Sequence, residues 1–437
     1  MMRTPSILIA FATLIFIAVT PAQAVPPIQQ AKLDNGLRVL LMEAHNVPMV
    51  AMQLVLPAGS RFDAAGKGGT ADLLAEMLTD HTAIHDDKAW ASLLDDGPIH
   101  LGAGASMDDM HMSLTVLKES LQPGLDALAE ALLQPGWNKK RFDMLKQDNI
   151  AAAQKGQEEP RVRVSQAAAK LLFGDHPYGH RPGGSLQSLP NIKLADLKSL
   201  YQAQYKPQGA VLAVSGDITL DELIPLLQAR LAQWRGKPAK GMKDIAAANP
   251  IAGEQADVKL PTSQTLVQLL RLGPARGDTN FFPVFVLNHI LGGGGFASRL
   301  MEEVREKRGL VYGVYSYFVP LAVPGAFAIT LQTRADQAEQ AETVVRELIA
   351  DMAAGNITKK QMRASKSNLI GSFAQRMDSN RERVGLLAMI GIYDLPLNYL
   401  SVWTERVEAV TLKQLRQQAA YYLNPVTWNR VRVGADL

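Results

Sequence analysis

The chain has 437 residues, of which 47% are hydrophobic and 20% charged; the formal net charge is +3 and there is no cysteine. That length and apolar content predict two or more domains with sizeable cores and exclude a disordered chain. The balanced charge argues against nucleic acid or an anionic membrane surface as partner. The missing cysteines exclude disulfides, thiol catalysis and a lipid anchor at a bacterial lipobox.

Residues 1–24 read as a targeting segment. Arg3 supplies a short positive region, Ile7–Val19 a short apolar core, and Ala22-Gln23-Ala24 a small-x-small cleavage site. This is the pattern of a cleaved signal peptide, and its apolar run is too short to span a bilayer comfortably. With no later apolar segment of sufficient length, the expectation is a bacterial periplasmic protein without a stable membrane anchor after cleavage.

Gly36–Met42 and Met49–Leu56 are apolar or alternating runs broken near His45 and Asn46, which predicts a β-hairpin. Helical spacing follows over Ala71–Leu78, with Asp72 and Glu76 four apart on one face. His81 and His85 have metal-ligand spacing but sit among Thr79, Asp80, Asp86 and Asp87, the composition of a surface loop; His176 and His180 lie in a Pro/Gly-rich turn. Neither pair is expected to hold a metal. His111–Leu117 reads as a third strand, and Ser120–Leu133 and Lys139–Lys155 as helices. Strands that follow one another without an intervening helix predict a mixed or antiparallel sheet covered by helices, an α+β fold.

The second half repeats the first. Leu54–Gly59 leaves a strand, passes a short loop and enters the Ala71–Leu78 helix; Leu269–Pro274 does the same before a helix over Phe282–Leu291. Tyr201–Pro207 leads to the strand Ala210–Val214 and then Gly216-Asp217; Ala420–Pro425 leads to Arg430–Val433 and then Gly434. Between the halves lies a stretch rich in Gly, Pro and Ala that reads as a linker. The expected division is a signal peptide over 1–24, a first domain over 25–235, a linker over 236–255 and a second domain over 256–437.

Two features of the second half bear on chemistry. Gly292–Gly295 lacks the Lys-Ser/Thr of a phosphate loop and reads as a break between two helices, with Gly293 and Gly294 open to close approach by a peptide. After the second of these helices, Ala297–Lys307, a stop near Gly309 and a β-rich run from Val311 put Arg305 on the last helical turn and Tyr312 at the start of a strand. A cation and a phenol brought together can hold a peptide carbonyl or a developing oxyanion. From spacing alone, a surface Arg and a core Tyr remain the simpler alternative.

Several segments taken in order resemble the pitrilysin-type metallopeptidases, family M16. They are Leu33–Val39, Ala58–Arg61, Gly69–Leu78, His176–Gly179, Val214–Asp217 and Leu291–Tyr312. The family's zinc helix has two histidines four apart, with a Glu one residue before the second as general base. Here those three positions are Asp72, Ala75 and Glu76, and the region of the family's third ligand offers only Asp148 as a carboxylate. The resemblance implies two homologous domains enclosing a chamber, no zinc in this chain, and Arg305 and Tyr312 as the Arg/Tyr pair that contacts substrate across it. It also implies that the chain is inactive alone. Its partner would be a homologous M16 subunit with an intact HxxEH carrying the Zn, and its substrates unfolded peptides. The alternatives are a scaffold or peptide-binding protein without turnover, as in the inactive M16-like core subunits of respiratory complexes, and a self-sufficient enzyme using Asp72 and Glu76.

Overall fold

In a computed structural model, residues 25–435 are described; the expected signal peptide lies outside them. Two sheets organise the molecule. The first has six strands in the order β1-β2-β6-β3-β5-β4, from β1 (Gln29–Lys32), β2 (Arg38–Glu43), β3 (Met49–Leu56), β4 (His100–Ala105), β5 (Met110–Leu117) and β6 (Val211–Gly216). The second has five in the order β7-β11-β8-β10-β9, from β7 (Gln255–Lys259), β8 (Gln264–Leu272), β9 (Gly313–Phe318), β10 (Ala326–Arg334) and β11 (Asn429–Gly434).

The internal repeat is exact in topology. β2 and β6 are parallel, as are β7 and β11. Every other pair within the matched five-strand sets is antiparallel: β6–β3–β5–β4 in one sheet, β11–β8–β10–β9 in the other. β9 is therefore the counterpart of β4, and both are edge strands. The expected hairpin of β2 and β3 does not form. β6 lies between them, held by β2 on one side and β3 on the other. Alternation fixes which face of a strand is buried but not which strand lies beside it, and the fully buried β6 needs partners on both edges.

Each half also covers the other's sheet. The Asn380–Ile392 helix of the second half packs on β6, β3 and β2, and the Pro160–Phe173 helix of the first half packs on β11 and β8. A sheet buries two faces, and one face of each is closed by a helix from the far half. The segment from 232 to 254 has neither helix nor strand. It is not a free tether: Arg61 donates to the carbonyls of Gly241 and Met242, and His176 is 2.8 Å from that of Ala246.

No helix among the described residues is long and apolar enough to cross a membrane.

Candidate functional site

The Thr70–Asp80 helix buries Ala71, Leu73, Leu74, Ala75, Met77 and Leu78, leaving Asp72 and Glu76 on the remaining side. Its start is fixed by a residue that spacing did not reveal. Gly69 takes a left-handed φ of 105°, open to glycine at little cost, and the buried Asp63 carboxylate accepts from the N–H groups of Gly69 at 2.8 Å and Ala71 at 2.9 Å. His180 lies 3.2 Å from the same carboxylate, which burial pushes above the usual carboxylate range. Asp63 is well upstream of any capping-box position, so local sequence carried no signal of this role.

The carboxylate pair is half-buried rather than freely solvated. Burial raises the pKa of both Asp72 and Glu76. Glu76 accepts a 2.7 Å hydrogen bond from the Asn149 side-chain amide. Asn149, not Asp148, thus stands beside the helix where a third ligand would be sought, and its amide N–H is a donor rather than a metal ligand. Ala75 is fully buried and offers no base. These groups do not fit zinc, and among the described residues no three or more His, Cys, Asp or Glu side chains gather where a metal ion could be held.

The histidines have structural roles. His81 ends the helix and is buried, not on a surface loop; its ring pairs with Asp80 at 2.8 Å and packs where a Cβ on Gly136 would collide with it. His85 lies 2.7 Å from Glu130.

Arg305 and Tyr312 do come together. The Arg305 guanidinium carbon is 5.8 Å from the centre of the Tyr312 ring and 4.9 Å from that of Phe296. Tyr312 is 89% exposed and Phe296 66% exposed, so a core role for the tyrosine is ruled out. Two acids on the same helix are engaged elsewhere: Glu302 and Glu303 pair with Lys307, and Glu303 also with Arg308. Phe296 follows the glycine run directly and was not foreseen, because a single aromatic after four glycines has no periodic pattern.

The backbone around this cluster is unusual. The Phe281–Asn288 helix continues as a wide π turn over His289–Gly293, and the expected second helix is π-wound over Met301–Glu306. Such turns are rare and concentrate at functional sites. Gly292 permits the close approach of this turn to β9, since a Cβ there would lie 2.5 Å from the Ser316 nitrogen. Gly293 is exposed and Gly294 half-buried, yet a Cβ on either would strike its own turn, at Asn288 or His289.

Two of the family-like segments meet at a further residue, Asp108. Its side chain is fully buried against the 1%-exposed Arg61 at 3.1 Å. It also accepts from the Tyr178 hydroxyl at 2.5 Å, the Ala322 N–H at 2.7 Å and the Tyr393 hydroxyl at 3.0 Å. One carboxylate therefore joins both halves.

Fold and site together define a duplicated peptidase-type scaffold whose metal-binding set is replaced. Residues 38–180 match the family model described as insulinase (peptidase family M16), and residues 191–369 the one described as the peptidase M16 inactive domain. The solved structure of a peptidase M16 inactive domain from Pseudomonas fluorescens is 32% identical, with a TM-score of 0.88 over 94% of this chain and 98% of that one. An uncharacterized zinc protease of Mycobacterium tuberculosis is 25% identical over 92% of each chain. A Helicobacter pylori protein named as a non-peptidase homolog is 24% identical over 89% of this chain and 88% of its own. The chain belongs to the M16 family.

Proposed function

We propose that this chain is the zinc-less subunit of a periplasmic M16 peptidase complex, handling unfolded peptides through Arg305 and Tyr312 while a homologous HxxEH-bearing subunit supplies the zinc. The observation that carries this reading is the contrast between the two halves. In the first, Glu76 is tied to Asn149 and the base position is Ala75, so nothing there activates water. In the second, an exposed phenol lies beside a guanidinium, with the neighbouring Glu302 and Glu303 paired to other cations. Such a pair suits a peptide carbonyl whose oxygen gains charge. The edge strands β4 and β9 offer unpaired backbone groups for an extended chain. Glycines of the 292–295 turn, Gly293 and Gly294 among them, keep the approach to the pair low. The sequence pattern of residues 1–24 supports export.

A second reading, an M16 scaffold without turnover, is favoured by the inactive-domain match and by the name of the Helicobacter pylori relative. Co-expression with an HxxEH-bearing M16 homologue, followed by peptidase assays on each chain and on the pair, separates the two. The composite-site reading expects hydrolysis from the pair above that of either chain alone. A pair no more active than the HxxEH chain by itself leaves the scaffold.

A further inference from the structure

The second sheet has a face that its covering helix does not fill. The Pro160–Phe173 helix lies on β11 and β8, so the β9 and β10 side stays open. Between them is a cavity of about 850 Å³, a volume within the range of specific ligand sites. Tyr312, Tyr315 and Tyr317 form one wall, and the latter two are 49% and 44% exposed. Gln268 sits in the floor, only 7% exposed, with its amide N–H groups given to the Tyr317 hydroxyl at 3.2 Å and Thr330 at 3.0 Å. Its carbonyl has no partner among the described residues. The lining contains one formal charge, Arg161, and no carboxylate.

We infer that this cavity is a side-chain subsite for a bulky aromatic residue of an extended peptide, and that it favours acidic over basic neighbours to that residue. The inference rests on the peptide-handling reading and adds the substrate class. Tyr312 is shared: its ring centre lies 5.8 Å from the Arg305 guanidinium carbon and the residue also lines the cavity, so a chain held at the Arg/Tyr pair lies beside the cavity. Aromatic rings stack edge-to-face or offset on the tyrosine wall. The Gln268 carbonyl can accept from a tyrosine hydroxyl or an indole N–H. Arg161, the one formal charge in the lining, attracts an acidic flank and disfavours lysine or arginine beside it.

The test measures binding by fluorescence anisotropy with a fluorescein-labelled unstructured decapeptide holding a central Phe between two Asp residues. Replacing that Phe with Ala is expected to weaken binding by about tenfold, or about 1.4 kcal/mol, from lost aromatic burial. Replacing the flanking Asp residues with Lys is expected to weaken it as well. Ala169→Phe, which fills the cavity from the helix side, should reproduce the first loss, and R161E should reverse the ranking of Asp- and Lys-flanked peptides. If the wild-type chain binds the Phe and Ala peptides equally, the subsite is refuted while peptide handling stands. If none of the peptides binds, both fall. The peptide comparison uses only the wild-type chain, so a misfolded variant does not spoil it.

Discussion

Asp108→Ala removes the acceptor that four donors share. Both Tyr178 and Tyr393 have phenols held above their ordinary pKa by burial and by the Asp108 charge, so they remain donors throughout the neutral range. The variant leaves these two hydroxyls, the Ala322 N–H and one face of Arg61 without their acceptor. Stripping one partner from a buried ion pair costs roughly 3–5 kcal/mol, and each orphaned neutral donor adds about 1–3 kcal/mol before relaxation. Arg61 keeps its bonds to the Gly241 and Met242 carbonyls, so the lower end of the first range applies, and with three orphaned donors at about 1 kcal/mol each the total is about 6 kcal/mol before relaxation. Against a typical total of about 5–15 kcal/mol, that is a large fraction. Urea unfolding monitored by circular dichroism measures it. Because Arg61 also pins the 232–254 segment, limited proteolysis there should accelerate in parallel. A loss below about 1 kcal/mol, with unchanged proteolysis, would refute the view that Asp108 joins the two halves.

Other expectations follow from the first half. Glu76 has a pKa raised by burial, so its protonated form favours folding; that contribution is full below its ordinary value of 4.5 and is lost as the pH climbs through the raised value. Glu76→Gln should therefore be more stable than wild type at pH 7, with the gap closing below pH 4.5, in paired melting curves. Asp63→Ala should cost about 1–2 kcal/mol, the value of a lost helix N-terminal acceptor, read by the same melts. Zinc added to the wild-type chain should leave its melting temperature unchanged. A variant with Asp72→His, Ala75→Glu, Glu76→His and Asn149→Glu should instead gain zinc-dependent stability of about 4 kcal/mol at a thousandfold excess over Kd.

Much of this was legible in the sequence, for reasons that also mark its limits. Repeated order revealed the duplication because corresponding segments, such as Ala210–Val214 and Arg430–Val433, occupy corresponding strands, β6 and β11. Burial pattern does not encode neighbour order, so β6 between β2 and β3 could not be read. Arg305 and Tyr312 were within reach because a helix stop at Gly309 separates them by one short reversal. Asp108 was not. Its hydrogen-bond partners at 61, 178, 322 and 393 are distant in sequence, so no local pattern marks it. Asp63 and Phe296 are similar cases, single residues whose role depends on what folds against them. The third-ligand region pointed to Asp148 because carboxylates draw attention; helix phase turned Asn149 toward Glu76 instead.

The role proposed for Arg305 and Tyr312 is to act on substrate although Asp72, Ala75 and Glu76 stand where the family's zinc helix has its ligands and base. Its most direct test is hydrolysis of an internally quenched peptide by the co-purified pair of this chain and an HxxEH-bearing M16 homologue, comparing wild type with the Arg305→Ala/Tyr312→Phe double variant. The expected outcome is that kcat/KM falls by about a hundredfold or more while the pair still co-elutes in size-exclusion chromatography. An intact pair that cleaves the peptide at the wild-type rate would contradict it.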